Sequence, residues 1–136
     1  NRTKLDSTCR TWMAYANYTR SQAVMNGVNY HLTCDLDQQN YALTYESSST
    51  GISGQYVSSG DEWGKIITLD TTIRMASIQM DQNTPQESGV ITIEFTPRGT
   101  TNDSSILFRN DVQDEQKVNL IGIIGLAKIQ STDTAS

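Results

Sequence analysis

The sequence lacks the motifs on which many enzyme and nucleotide-binding sites depend. It contains no phosphate-binding P-loop, no dinucleotide-binding glycine fingerprint and no CxxC pair. Its one histidine, His31, lies on the polar side of an alternating segment, whereas Cys34 lies on the opposite side. The two side chains therefore cannot act together as nucleophile and base. The sequence argues against an enzyme.

Long apolar runs and clusters of basic residues are also missing. The longest apolar stretch, residues 120–127, contains two glycines and is too short to span a bilayer, and no signal-peptide pattern begins the chain. Ten basic residues are scattered among fifteen acidic ones, so the net charge is −5 and the pI is about 4.6. Such a surface repels phosphate, which argues against nucleic acid as a partner.

Signals for a bound metal ion are weak. Residues 35–40 read DLDQQN and residues 111–116 read DVQDEQ, and both could offer oxygen ligands. Neither segment has the ligand spacing of a calcium loop, and acidic turns are common between strands. We therefore expect no metal ion and no cofactor.

The composition and the first segment of the chain predict a helix followed by strands. With 136 residues, 36% hydrophobic and 18% charged, the chain has the profile of one β-rich domain. A helix is predicted over residues 3–25, because a stripe recurs at three- and four-residue spacing. The stripe comprises Leu5, Cys9, Trp12, Ala16, Thr19 and Ala23. Asn26-Gly27 is a good stop, because both residues tolerate the left-handed conformation.

Alternating segments after the helix predict a β-sandwich. Residues 28–34 and 40–45 form a predicted hairpin that presents one side to the core. That side comprises Val28, Tyr30, Leu32, Tyr41, Leu43 and Tyr45. Further strands are predicted at residues 65–69, 72–80, 90–96, 105–109 and 118–129. The predicted fold class is α+β, with the helix (1–26) packed on an antiparallel two-sheet sandwich (27–136) in a single domain.

Residues 46–64 form a predicted variable loop, because they are rich in Ser and Gly and lack a period. Tyr56, Val57 and Trp63 predict that this loop folds back onto the domain. The start of the helix has no signal comparable to its end, since Asn1 could cap but the stripe is already running at Leu5. We therefore expect this helix to continue a longer one.

Three segments, in order along the chain, carry a resemblance to a known family. Residues 18–32, YTRSQAVMNGVNYHL, contain Arg20, Ser21 and Ala23 of an Ala-Arg-Ser-x-Ala pattern, with Thr19 in place of the first alanine. Residues 91–101, ITIEFTPRGTT, contain Phe-x-Pro-x-Gly at Phe95, Pro97 and Gly99. Residues 118–129, VNLIGIIGLAKI, place Gly125 and Lys128 where a closing strand often has a Gly-Arg pair. Together they resemble bacterial minor pseudopilins and type IV pilin-like proteins of the GspH/FimT type.

The resemblance implies a pilin-like fold and a structural role. Family members lose a short leader to a prepilin peptidase and then carry a hydrophobic helix half, which anchors in the inner membrane and later packs in a filament core. This domain would lie in the periplasm below a single-pass anchor that precedes Asn1. It would be a minor subunit near the tip of a type II secretion pseudopilus. Its partners would be other minor pseudopilins or pilins, with secreted proteins as further candidates.

Two alternatives stay open. The chain could be a minor type IV pilin for adhesion or DNA uptake, although DNA uptake needs a display of Lys and Arg that is not evident in the sequence. It could instead be a secreted β-sandwich that binds carbohydrate or protein through its loops, with Tyr56 and Trp63 as contact residues.

The start of the helix supplies candidate filament contacts. Leu5, with Trp12 or Met13, is expected to be exposed and to contact a neighbouring subunit. The alternative is that Trp12 packs on the first sheet.

The two cysteines are predicted to reach the same level of the fold. Cys9 lies roughly 25 Å before the helix end, at about 1.5 Å per residue. Cys34 lies roughly 23 Å along the returning strand, at about 3.3 Å per residue. Both lie on core-facing sides, so a disulfide is expected in an oxidising periplasm. Two buried free thiols are the alternative.

Overall fold

The predicted helix is confirmed by the computed structural model, which describes residues 2–47, 56–58, 62–123 and 126–131. Helix α1 spans Arg2–Asn26, and all six residues of the predicted stripe are buried. Tyr15 is buried as well, which widens the stripe. Gly27 follows the last helical residue; its φ is 66° and its N–H donates to the Ala23 carbonyl at 2.9 Å.

Nine strands follow the helix within the described ranges. They are β1 Tyr30–Asp35, β2 Asn40–Glu46, β3 Tyr56–Ser58, β4 Ile67–Thr68, β5 Ile73–Met80, β6 Val90–Phe95, β7 Ser104–Asn110, β8 Glu115–Ile121 and β9 Leu126–Ser131. A single 3₁₀ turn, Glu62–Gly64, precedes β4. Strand β3 lies within the stretch predicted to be a loop, because three residues are too few to show alternation.

The first sheet is built around the predicted hairpin. Its strand order is β3-β2-β1-β6, and β4 also pairs with β2. Leu32 of β1 lies opposite Leu43 of β2 and Ile93 of β6, and all three are fully buried. Val28 and Tyr45, at the ends of the predicted core-facing side, are only partly buried against the core. The hairpin and its register therefore match the alternation in the sequence.

The second sheet has the order β5-β7-β8-β9, with all neighbours antiparallel. Here the prediction of one strand over residues 118–129 is wrong, because the chain reverses within it to form β8 and β9. Gly122 lies in the turn, and a Cβ at this position would overlap the carbonyl oxygen of Thr101. The apolar run over residues 118–129 therefore contains a hairpin. Its turn requires glycine, because a side chain at residue 122 would overlap Thr101.

A glutamine side chain joins the two sheets. Gln39, in the turn between β1 and β2, accepts a hydrogen bond from the Met75 N–H at 2.6 Å and donates to the Met75 carbonyl at 3.1 Å. Its amide also donates to the Leu36 carbonyl at 2.7 Å. Strand β5 has a bulge between Met75 and Ser77. The glutamine therefore bonds backbone groups of β5 beside this break in its pairing.

Candidate interaction surfaces

The apolar start of the helix is buried inside the domain, contrary to the expectation that it is exposed. Leu5 and Trp12 are both 0% exposed. Trp12 packs edge-on against Phe108 of β7, with ring centroids 6.5 Å apart, and its indole also lies near Cys34 of β1, so it packs between the two sheets. Met13 is partly buried against the same core. Burying these apolar side chains stabilises the domain, and it leaves Leu5 and Trp12 no surface for a neighbour.

The outward side of the helix carries small and polar residues instead, together with Arg10, whose side chain is 70% exposed and pairs with Asp6. Ser7, Thr11, Ala14 and Ser21 are exposed and recur at helical spacing. Their short side chains would let another helix approach closely. At the end of α1, Met25 is 75% exposed and extends this side with one large apolar group.

The two cysteines are buried free thiols, so the expected disulfide is wrong for this structure. Burial raises the pKa of Cys9 to about 12, with a smaller contribution from the Asp6 carboxylate. Burial also raises the pKa of Cys34 to about 12, and the nearby indole of Trp12 partly offsets that rise. The Trp12 N–H makes no hydrogen bond of ordinary geometry. Both thiols pack as small apolar groups.

Trp63, predicted as a loop contact residue, packs on the helix. Its ring stacks on Tyr18 with centroids 4.1 Å apart and an angle of 9° between the planes. It also meets Tyr15 at 4.7 Å, and Tyr15 packs edge-on against Tyr41 of β2. The prediction that this part of the loop folds back is therefore confirmed. Residues 48–55 and 59–61 of the same loop lie outside the described residues.

Tyr56, the other predicted contact residue, lies on the outer side of the first sheet. Its ring stacks on His31 with centroids 3.7 Å apart. The Glu94 carboxylate lies 3.1 Å from His31 Nε2 and accepts a longer hydrogen bond, 3.4 Å, from the Tyr56 hydroxyl. Partial burial, followed by the charges of Glu94 and Glu46, raises the pKa of Tyr56. These contacts tie β1, β3 and β6 together across the sheet.

Two of the motifs that carry the family resemblance touch each other. Arg20, near the helix end, donates through Nε to the carbonyl oxygen of Gly99 at 3.1 Å. Gly99 has a φ of +82°, and a Cβ there would lie about 3.1 Å from the guanidinium. Its turn closes through a hydrogen bond from the Gly99 N–H to the Thr96 carbonyl at 2.9 Å. The sequence pattern gave no indication of this contact. In the third motif, Lys128 is exposed on β9, and Gly125 lies outside the described residues.

The two acidic segments serve as turns. Asp35 accepts hydrogen bonds from the backbone N–H groups of Asp37 and Gln38, at 3.0 and 2.9 Å. Between β7 and β8, the side-chain oxygen of Asn110 accepts from the N–H groups of Val112 and Asp114. These are local side-chain to backbone bonds of the kind that fix tight turns. Among the described residues, no group of three or more His, Cys, Asp or Glu side chains is arranged to hold a metal ion.

Known structures provide the comparison for the whole fold. The minor pseudopilin EpsH from the type 2 secretion system of Vibrio cholerae has a TM-score of 0.79 and 8% identity, covering 98% of this chain and 99% of that chain. A crystal structure of EpsH gives a TM-score of 0.76 at 10% identity, with 95% and 94% coverage. The type IV minor pilin FimU of Pseudomonas aeruginosa PAO1 gives 0.59 at 14% identity, with 99% and 92% coverage.

No protein-family model and no curated protein sequence matches the chain. None of the helices described here is long and apolar enough to cross a membrane. At identities of 8% to 14% the structural likeness establishes the fold and not the biological system. The fold nevertheless matches that of known subunits over almost the full length of the chain. The chain therefore has the pilin-like α+β fold of GspH-type minor pseudopilins and minor pilins.

Proposed function

We propose that the chain is a minor pseudopilin, a non-enzymatic structural and assembly subunit of a type II secretion pseudopilus, placed near its tip. The observation that carries this proposal is the likeness to EpsH at a TM-score of 0.79 over 98% of this chain and 99% of that one. The three structures described above are named as pseudopilin or pilin subunits, which supports assembly with other pilin-like subunits.

The geometry of the helix supports a role in assembly. One side of α1 is buried against both sheets, while the opposite side presents small residues such as Ala14 and Ser21 to solvent. The distance between two packed helices depends on the side chains at the contact, so short side chains allow a closer approach. In this proposal the domain lies in the periplasm, and an inner-membrane segment ahead of Asn1 continues the helix. Neighbouring subunits then pack along its outward side.

A minor type IV pilin is the second candidate. The FimU likeness favours it, but its TM-score of 0.59 is lower than the 0.79 for EpsH. A secreted module that binds ligands through Trp63 has weaker support, because that ring is stacked on Tyr18 and meets Tyr15.

Deletion of the gene in its own organism tests the proposal. We expect loss of protein export to the medium while surface pili and motility stay intact. Loss of pili with normal export would favour the type IV pilin. Normal export and normal pili would contradict both filament roles.

A pair of substitutions tests the outward side of the helix in the full-length protein. Ala14→Arg places a long charged side chain on that side, and we expect it to reduce export about tenfold. Ser88→Arg makes a comparable addition at an exposed site on the loop before β6 and should leave export unchanged. Equal export by the two variants would contradict packing through this side of α1.

A further inference from the structure

The outer sides of the two sheets differ in charge. The first-sheet face consists of the outward-pointing residues of β1, β2, β3 and β6. It carries Asp35, Glu46 and Glu94. In each strand these residues alternate with residues that face the core, so their side chains point outward. The described strands of this sheet contain no Lys or Arg. This face is therefore acidic.

The second-sheet face consists of the outward-pointing residues of β5, β7, β8 and β9, and it is basic. Its charged residues are Arg74, Arg109, Lys117, Lys128 and Glu115. Arg74 lies directly opposite Arg109 in the register, and like charges at such a pair repel. Glu115 offsets part of this repulsion, because its carboxylate bonds Arg109 at 2.6 and 2.8 Å.

The centre of the second-sheet face combines charge with a small apolar area. Lys117 of β8 lies opposite Leu107 of β7. Lys128 of β9 lies opposite Asn119, the next outward-pointing residue of β8. A shallow cleft on this face is lined by Arg74, Ala76, Ser77, Glu87, Leu107 and Arg109. Four of the ten basic residues of the chain thus share one face, although the chain as a whole has a net charge of −5.

We propose that the second-sheet face of one copy of this chain binds the acidic first-sheet face of a second copy. The charges of the two faces are complementary, and the faces lie on opposite sides of the sandwich. A contact between unlike faces is heterologous, so it leaves one free face of each kind and can repeat along an axis. This inference rests on the proposed role as a filament subunit, and it places two copies of the chain next to each other. Charge pairs of this kind set orientation and salt dependence more than affinity.

Sedimentation and light scattering of the 136-residue chain test the contact. A net charge of −5 by itself makes copies repel more strongly as salt is lowered. Face-to-face attraction predicts the opposite: association should be stronger at about 0.01 M salt, where the screening length is roughly 30 Å, than at about 0.15 M. Association that weakens as salt is lowered would overturn the proposal.

Charge-reversal variants identify the faces. Lys117→Glu with Lys128→Glu should weaken association about tenfold at low salt. Lys65→Glu with Arg98→Glu changes the net charge equally at exposed sites off both faces, so it should have a smaller effect. Glu46→Lys with Glu94→Lys should also weaken self-association, and mixing it with the second-sheet variant should restore binding. Equal losses in the two Lys/Arg variants, or no restoration on mixing, would overturn the proposal.

Two further outcomes separate the alternatives. If the second-sheet variant loses binding to duplex DNA while self-association is unchanged, the face binds nucleic acid and the proposal is wrong. A secretion defect on gene deletion, without salt-dependent association of the domain, would leave the proposed function standing and overturn only this contact. Salt-dependent association of the domain without any export or pilus defect would support the contact and overturn the proposed function.

Discussion

Arg20 of the helix donates a hydrogen bond to the backbone carbonyl of Gly99, 79 residues away in the sequence. The guanidinium also covers the position that a side chain at residue 99 would occupy. The bond fixes the turn after β6 against the last part of α1. One further bond, from the Thr101 N–H to the Gly122 carbonyl at 2.8 Å, joins that turn to the β8–β9 hairpin. Three distant parts of the chain therefore meet at one end of the domain.

Replacing Gly99 with alanine should destabilise the domain by about 2–3 kcal/mol. The residue has a φ of +82°, which strains any side chain, and the added Cβ would press on the guanidinium of Arg20. Gly27→Ala is a matched control, because its φ is +66° with nothing within 4 Å of the added Cβ. Urea denaturation of both variants separates backbone strain from the contact. Equal losses would contradict a role for Arg20.

An Arg20→Ala background completes this comparison. Without the guanidinium, the Cβ added at residue 99 has no side chain of Arg20 to press against. Gly99→Ala should then destabilise the domain no more than Gly27→Ala does. A double-mutant cycle measures the coupling directly, and we expect about 1 kcal/mol between the two positions.

The buried thiol of Cys34 should make the domain less stable at alkaline pH. Its pKa is raised from 9.0 to about 12, so the folded state keeps the proton that the unfolded state loses in this range. The free energy of unfolding should therefore fall as pH rises from about 9 towards 12, and Cys34 and Cys9, whose pKa is also raised to about 12, each contribute a limiting slope of about 1.4 kcal/mol per pH unit. Denaturation between pH 8 and 10.5 measures the start of this fall.

Cys34→Ser tests the assignment, because serine does not titrate in this range and the slope should become shallower. Ile106→Val is the control: it lowers stability by about 1 kcal/mol without removing a titrating group, so it should keep the wild-type slope. A Cys34→Ser slope equal to that of wild type would assign the alkaline loss to other groups, such as Cys9 or buried Tyr41, whose pKa values burial also raises.

Trp12→Ala should unfold much of the domain, with a loss of about 3–5 kcal/mol, because the ring is fully buried against Phe108. Met13→Ala, at a partly buried neighbour, should lose less than about half as much. Trp12→Phe keeps most of the packing and removes the unbonded N–H, so its loss should be small. Denaturation measures all three. If the Trp12→Ala domain has wild-type stability, the ring is not needed for the fold. Trp12 would then again be a candidate for filament contact.

Gln39→Ala should destabilise the domain by about 2–4 kcal/mol. It removes hydrogen bonds of 2.6, 2.7 and 3.1 Å and leaves the Met75 N–H without its partner beside the bulge. Gln38→Ala, at the adjacent exposed position, should stay within about 0.5 kcal/mol of wild type. Similar stabilities of the two variants in urea would show that the link between the sheets contributes little.

Much of the fold follows from periodicity that the sequence displays openly. The helix stripe and the alternation of residues 30–34 and 41–43 each point one side to the core, and burial follows them. The closing hairpin could not be predicted in this way, because Leu120 to Ala127 is apolar on both sides of its turn. The overlap at Gly122 that requires the turn comes from Thr101, which is distant in sequence.

The interaction surfaces were harder to predict. The exposure expected for Trp12 failed because a helical stripe does not say whether the second sheet covers its start. Cys9 and Cys34 both face the core, as their positions in the stripe and the strand predict, but the structure leaves them as free thiols. The basic face could not be predicted, because Arg74, Arg109 and Lys117 come from three strands. Only the pairing of these strands brings the three residues together.

Strand β6 has a consequence for how the domain comes apart. It belongs to the first sheet, whereas the strands on either side of it in the chain, β5 and β7, pair with each other in the second. The chain thus passes from one sheet to the other and back, and neither sheet is a continuous piece of sequence. Unfolding should therefore be cooperative, with calorimetric and van't Hoff enthalpies that agree. A force that pulls on the helix should therefore unfold both sheets together, in one step.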